Sequence, residues 1–132
     1  MTLEHVAIWT ENLEVLKAFY ERHFGGIANP LYINPSTGFR SHFITFRSGA
    51  RLEIMQKPGI PANANDTISN QHQGFIHMAF SVNSREEVDE KAIEFRAAGI
   101  PILRGPRTTG DGYYEFEALD PDQNRLEVMC RL

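Results

Sequence analysis

The sequence has little of what several protein classes require. Its 132 residues include one cysteine, Cys130, so no disulfide can form within the chain. No apolar run approaches the roughly 18 residues of a membrane span, and the N-terminal MTLEHVAIW lacks the basic segment and long apolar run of a secretory signal. Thirteen Lys and Arg against seventeen Asp and Glu give a net charge of −4, with no basic run. These absences argue against nucleic acid and membrane as partners and predict a cytoplasmic chain.

An internal repeat organises what is present. LEHVAIW at 3–9 matches FIHMAFS at 75–81, and ARLEIM at 50–55 matches NRLEVM at 124–129. The length suits one domain, so we predict a single domain spanning 1–132 that is built from two similar modules. Module 1 covers about 1–57, a Pro- and Asn-rich linker covers 58–74, and module 2 covers about 75–132.

Each module contains one helical pattern between strand-like patterns. NLEVLKAFYERHFGG has apolar residues at helical spacing and stops at Gly25. In the second module, Ser84 and Glu87 form a capping box, in which each side chain accepts from the other residue's backbone amide, and the helix ends at Gly99. Alternating runs follow both helices. We therefore predict strand, helix and about three strands in each module; the later runs are RSHFITF, RLEIMQ, YYEFEAL and RLEVMC.

Four repeated polar residues share one predicted face. Strand side chains alternate, so His5, Glu53, His77 and Glu127 each point away from the apolar neighbours that cover the helices. Two imidazoles and two carboxylates suit one divalent ion such as Zn, Ni, Co, Fe(II) or Mn, whereas Ca and Mg rarely take two histidines. The sequence therefore predicts a metal site with these four ligands.

Other polar residues receive plainer interpretations. His23, His42 and His72 have no counterpart in the other module and are left out of the site. The turn 120–124, DPDQN, is predicted to set the register of the last strand. The segment 106–112, PRTTGDG, is predicted to be a flexible loop that either contacts substrate or only connects two strands.

The motifs LEHVAIW, RLEIM, HMAFSV and FEALDPDQNRLEVM resemble the glyoxalase I, bleomycin-resistance and extradiol-dioxygenase superfamily, also called the vicinal oxygen chelate superfamily, and its glyoxalase I-like branch in particular. The resemblance covers essentially the whole chain. It implies an α+β fold in which two tandem βαβββ modules form an incomplete barrel around a metal-binding cleft. It also implies a homodimer that acts on a small-molecule substrate.

The same resemblance implies a divalent-metal-dependent lyase or isomerase of the glyoxalase I type, similar to lactoylglutathione lyase. The reaction would be proton transfer α to a carbonyl through a metal-bound enediolate. Zn or Ni would be the first choice of metal, followed by Co, Fe and Mn. Glu127 would be the catalytic base, with Glu53 as the second candidate.

Two alternatives from other functional classes remain open. One is a metal-free small-molecule (drug) binding protein of the bleomycin-resistance type; the other is a ring-cleaving dioxygenase, which generally needs a longer chain. Trp9 and Lys57 replace the Arg and Asn that contact glutathione in glutathione-dependent relatives. The substrate, the use of any thiol cofactor, and whether one chain or two complete the site are therefore left open.

Overall fold

A computed structural model describes residues 1–62 and 68–132, and it separates into two compact units, Met1–Asn63 and Ala64–Leu132. Residues 63–67, within the predicted linker, lie outside the described residues. No helix in the described ranges is long and apolar enough to cross a membrane.

Unit 1 is a helix packed on a five-stranded mixed sheet. The sheet order is β1-β5-β4-β2, with β3 also paired to β4. The first and last strands, β1 and β5, run parallel, and the others pair antiparallel. The elements are β1 Val6–Trp9, α1 Leu13–Phe24, β2 Ile27–Ala28, β3 Tyr32–Asn34, β4 Phe39–Thr45 and β5 Arg51–Gln56.

Local signals fix the ends of α1. The Asn12 side chain accepts a hydrogen bond from the Val15 amide, which satisfies one of the unpaired donors of the first turn. Gly25 ends the helix in the left-handed region at φ 62°. The buried stripe of α1 packs with the sheet side chains that point away from His5 and Glu53. Its members, with their sheet partners, are Leu13, Leu16, Phe19, Tyr20, Ile44, Leu52 and Ile54.

Unit 2 repeats this plan with a four-stranded sheet in the order β6-β9-β8-β7. Its first and last strands, β6 and β9, are again the parallel pair. The elements are β6 His77–Ser81, α2 Arg85–Ala97, β7 Ile102–Thr108, β8 Tyr113–Leu119 and β9 Arg125–Arg131. The predicted α+β class with two βαβββ-like modules is confirmed.

The start of α2 differs in one detail from the predicted capping box. The Ser84 hydroxyl accepts from the Glu87 amide at 3.3 Å, as expected. The Glu87 carboxylate, however, accepts from the amide of Asn83, one residue before the cap, at 3.0 Å. The buried stripe of α2 consists of Val88, Ala92 and Phe95.

The C-terminal strand and the turn before it also follow the sequence. Cys130 is 2% exposed within β9, where it packs as a small apolar side chain. The Asp120 carboxylate accepts from the amides of Asp122 and Asn124 at 2.9 and 2.8 Å. These bonds close the turn that leads into β9.

One prediction about β7 is wrong. The expected loop at 106–112 is strand as far as Thr108, because β7 continues past a bulge. Arg104 pairs with Glu117 and Arg107 with Glu115, so three residues of β7 span two of β8. Because the bulge absorbs the additional residue, both arginines lie on the same side of the sheet as the glutamates.

Gly105 makes this bulge possible. Its φ is +91°, and a Cβ there would lie 2.6 Å from the Glu115 carbonyl oxygen and 2.9 Å from the Phe116 Cα. Backbone atoms cannot yield as a flexible side chain can. Any larger residue must therefore distort the pairing of β7 with β8.

We expect Gly105→Ala to lower the free energy of unfolding by about 1–3 kcal/mol, because it adds both a left-handed non-glycine residue and a backbone clash. Gly110→Ala is the matched control, since no atom lies within 4 Å of its added Cβ and Gly110 is not among the positive-φ glycines. Urea unfolding followed by circular dichroism measures both. Equal stability of the two variants would contradict the bulge argument.

Candidate metal site

Unit 1 brings His5 and Glu53 together. His5 lies one residue before β1, and Glu53 lies in β5 beside Ala7 of β1. The His5 Nε2 is 3.6 Å from the Glu53 Oε2, and the two side chains are 35% and 15% exposed. The register between β1 and β5 places Glu53 on the same side of the sheet as Ala7, as the alternation predicted. His5 was expected within the first strand, but it lies just before it.

The other ring nitrogen of His5 is already bonded. The His5 Nδ1 is hydrogen-bonded to the Glu4 carboxylate, which also pairs with the Arg51 guanidinium. The ring of Phe43 contacts His5 edge-on, with centroids 5.1 Å apart. Only the Nε2 edge of His5 therefore faces Glu53.

Unit 2 brings His77 and Glu127 together in the same way. His77 begins β6, and Glu127 lies in β9 beside Ala79. The His77 Nε2 is 3.3 Å from the Glu127 Oε2, with side-chain exposures of 36% and 17%. Each unit thus presents one imidazole nitrogen and one carboxylate oxygen at nearly the same separation and exposure.

Within each unit, the distance between the histidine nitrogen and the glutamate oxygen suits two ligands of the same small cation. With metal–nitrogen and metal–oxygen bonds near 2.1 Å, two donors at tetrahedral corners are about 3.4 Å apart. The observed separations of 3.6 and 3.3 Å lie on either side of that value. In unit 1, the His5 Nδ1 is bonded to Glu4, so Nε2 is the ring nitrogen that faces Glu53. A cation between the two residues would be bound by one nitrogen and one oxygen.

The structure adds two glutamates that the sequence interpretation missed. Glu115 and Glu117 on β8 share the face of Glu127, and one oxygen of each of the three carboxylates lies within 4.8 Å of the others. The alternation of Glu115 and Glu117 with apolar residues in YYEFEAL does indicate that the two glutamates share one side of the strand. The repeat does not single them out, because neither residue has an acidic counterpart in the first module.

Arginines neutralise these additional carboxylates. Glu117 is hydrogen-bonded by Arg104 and by Arg125, and Glu115 is bonded by Arg107 at 2.8 Å. A guanidinium bonded to a carboxylate already neutralises its negative charge. We therefore assign Glu115 and Glu117 to the surroundings of Glu127 and leave them out of the candidate ligands.

The pKa values of the two glutamates are shifted in opposite directions. Burial opposes ionisation of Glu117, but the hydrogen bonds from Arg104 and Arg125 outweigh it and lower the pKa of Glu117. Burial raises the pKa of Glu115, and the charge of Glu127 adds to that rise while Arg107 opposes it. The guanidiniums therefore favour a charged Glu117, while desolvation leaves Glu115 easier to protonate.

The faces around the two His–Glu pairs differ in chemistry. Phe43 lies opposite Glu53 in unit 1, whereas Glu117 lies opposite Glu127 in unit 2. Trp9, on the face of Glu53, is 41% exposed and packs edge-on against Phe39 with centroids 6.1 Å apart. The surface next to Glu53 is therefore aromatic, whereas the surface next to Glu127 is charged.

The histidines left out of the predicted site have other surroundings. His42 is 4% exposed, and its Nδ1 is 2.8 Å from the Asn29 carbonyl oxygen. His23 is buried in the last turn of α1, and His72 is exposed. None of these observations adds a ligand to either His–Glu pair.

Comparison with known proteins gives a family and a fold. The sequence profile of the glyoxalase/bleomycin resistance protein/dioxygenase superfamily matches residues 2–128. An uncharacterized protein, YqjT, of Bacillus subtilis (strain 168) is 33% identical over 60 residues, which are 43% of this chain and 47% of that protein. The match thus spans about half the length of that relative.

Solved structures agree over the full length. The glyoxylase/bleomycin resistance protein/dioxygenase domain from Frankia sp. EAN1pec superposes with a TM-score of 0.81 at 17% identity, covering 100% of this chain and 98% of that one. The fosfomycin resistance protein FosX from Listeria monocytogenes, complexed with Mn(II) and sulfate ion, superposes with a TM-score of 0.72 at 20% identity, covering 99% and 93%. At these identities the likeness shows the fold.

We expect Glu117→Gln to destabilise the protein at about pH 7 and the difference from the parent to shrink as the pH falls below about 4, because a carboxyl group whose pKa is lowered by folding contributes stability that is lost as pH falls through the folded-state pKa. Glu115→Gln should show the opposite slope. A raised pKa means that ionisation costs the folded parent stability as pH rises, so this variant gains on the parent toward neutral pH. Urea unfolding across pH tests both, and slopes of the same sign would contradict the assignment.

Proposed function

Because the chain belongs to the glyoxalase/bleomycin resistance protein/dioxygenase superfamily, we propose that it is a divalent-metal-dependent enzyme whose ligands are His5, Glu53, His77 and Glu127. The observation that carries this proposal is the repeated pair, in which an imidazole Nε2 faces a carboxylate Oε2 at 3.6 Å in one unit and 3.3 Å in the other. An isolated histidine beside a glutamate is commonplace. Two such pairs at matching repeat positions call for a common cause.

The donor set supports a transition metal. Two imidazoles favour Zn, Ni, Co, Fe(II) or Mn over Ca and Mg, and two carboxylates balance the double positive charge. The Mn(II) in the FosX structure shows that this fold holds such an ion in a relative. We propose Zn or Ni first. The ligand set is the same whether both pairs come from one chain or one pair comes from each chain of a homodimer.

We propose proton transfer at the carbon next to a carbonyl as the reaction, of the lyase or isomerase type. When bound, the ion would neutralise the negative charge that develops on the substrate oxygens as the proton leaves. Glu127 takes that proton. The nearby Glu115, whose pKa is raised by burial, gives a second group to which a proton can pass, whereas Glu53 lies opposite the ring of Phe43.

The aromatic face of unit 1 bears on the choice of substrate. Trp9 takes the position at which glutathione-dependent relatives carry an arginine, and it is 41% exposed beside Phe39. An indole there offers apolar contact rather than an ion pair to a peptide carboxylate. We therefore propose screening small α-hydroxy and α-oxo carbonyl compounds without a thiol cofactor as well as their glutathione adducts.

We expect full-length protein purified without chelators to carry about one transition metal ion per chain, and His77→Ala to carry far less, since truncation removes one ligand. His72→Ala is the matched control, because His72 is an exposed histidine outside the proposed ligand set. Inductively coupled plasma mass spectrometry gives the metal content. Protein that stays empty after reconstitution with Zn, Ni, Co, Fe and Mn would favour a metal-free ligand-binding protein instead.

We expect Glu127→Gln to retain most of the metal while the rate of proton transfer falls by about 10²–10⁴-fold, the usual contribution of a general base. Deuterium uptake from solvent at the α carbon, followed by NMR, measures that step directly. Glu53→Gln is run in parallel, and the base is reassigned to Glu53 if that variant is the slower one. Oxygen consumption with a catechol panel would instead indicate a ring-cleaving dioxygenase.

A further inference from the structure

We propose that Glu4 is a positioning residue that holds the His5 ring with its proton on Nδ1 and so leaves Nε2 bare to act as a ligand. This inference deepens the proposed function, on which it rests for the role of His5. Glu4 itself is outside the predicted ligand set. It acts through His5, and it has no counterpart beside His77.

The contacts around His5 form a closed circle of four side chains. The Glu4 carboxylate bonds the His5 Nδ1 with one oxygen and the Arg51 guanidinium with the other. Arg51 lies over the Phe43 ring, with its guanidinium carbon 4.1 Å from the ring centroid. Phe43 in turn contacts the edge of His5 with an interplanar angle of 87°. Each member is thus held by two others, and the imidazole has little freedom to rotate.

Hydrogen-bond accounting fixes the tautomer. A carboxylate that accepts from a guanidinium offers only acceptor oxygens, so the proton in the bond between Glu4 and His5 belongs to the imidazole Nδ1. In a neutral imidazole, the Nε2 then carries a lone pair. A partner of this kind at the second ring nitrogen orients a metal-binding histidine and increases its basicity.

The second unit shows what is special about the first. The residue before His77 is Ile76, which has no hydrogen-bonding side chain. Arg125 occupies the strand position equivalent to Arg51, and it bonds Glu117 on the neighbouring strand β8. The two proposed imidazole ligands are therefore unequal, and His5 is the one oriented in advance by the chain.

The tautomer can be read without any metal. Long-range ¹H–¹⁵N NMR of the full-length, metal-free protein at about pH 8, above the ordinary histidine pKa, distinguishes a protonated Nδ1 from a protonated Nε2. We expect protonated Nδ1 for His5 in the parent and in Glu4→Gln, whose amide oxygen can still accept the bond. We expect Glu4→Ala to move His5 toward protonated Nε2.

Glu14→Ala is the matched control. Its side chain is 60% exposed, against 58% for Glu4, and it lies 3.4 Å from the Nε2 of His42 outside the proposed site. The control removes the same charge from unit 1 and should leave the His5 signals unchanged. The His42 Nδ1, 2.8 Å from the Asn29 carbonyl oxygen, reports whether the fold of unit 1 persists in Glu4→Ala. A protonated Nε2 on His5 in the parent, or an unchanged tautomer in folded Glu4→Ala, would overturn the proposal.

Metal affinity provides the second readout. We expect Glu4→Ala to weaken binding of Zn or Co by about 10–100-fold, as the loss of a partner to a metal-binding histidine typically does. Glu4→Gln should fall between Glu4→Ala and the parent, and Glu14→Ala should match the parent in calorimetric titration. Equal affinity of parent and Glu4→Ala would overturn the positioning role. A parent that binds no metal would refute the proposed function, while the NMR result would still decide the tautomer.

Discussion

The parallel pairing of the first strand of each unit with its last strand is the constraint on which the rest depends. It places a short side chain, Ala7 or Ala79, directly beside the glutamate of the partner strand. Strand alternation then sends the residues on either side of that glutamate to the helix. One register thus both buries the core and leaves a histidine and a glutamate together on the opposite face. A slip of one residue would exchange the two faces and destroy both arrangements.

Much of this could be predicted from the sequence because it depends on period and repetition. Both helices, their caps and the long strands have local signals, and the repeat shows that His5 and Glu53 belong with His77 and Glu127. Contacts that follow no fixed sequence spacing could not be predicted in this way. The bond from Glu4 to His5 forms outside a regular strand, where alternation gives no guidance on direction.

The bulge in β7 explains the other failure. A period-two pattern assigns Arg104 and Arg107 to opposite faces, because they are three positions apart, and the Gly-Pro between them is a typical turn signal. The fold instead keeps the strand and absorbs the additional residue. The partners of Glu115 and Glu117 were invisible for the same reason, since they depend on a register shift that only the paired strands reveal.

The two units retain the same candidate ligands while their surroundings have diverged. The proposed ligands must stay the same in both units, but the residues beside them need not. The residue opposite Glu53 is Phe43, and the residue opposite Glu127 is Glu117. Glu53 therefore has an aromatic neighbour, and Glu127 has a charged neighbour that two arginines neutralise.

The bulge at Gly105 also decides which side of the sheet Arg107 occupies. Because sides alternate along a strand, one inserted residue reverses the side of everything that follows it unless a bulge absorbs that residue. If β7 ran on past Gly105 in regular register, Arg107 would point toward α2, although its amino-acid type would be unchanged. The charge of this face therefore depends on a local irregularity of the backbone as well as on residue identity, so a substitution that removes only the bulge can change the face without altering any of its charged residues.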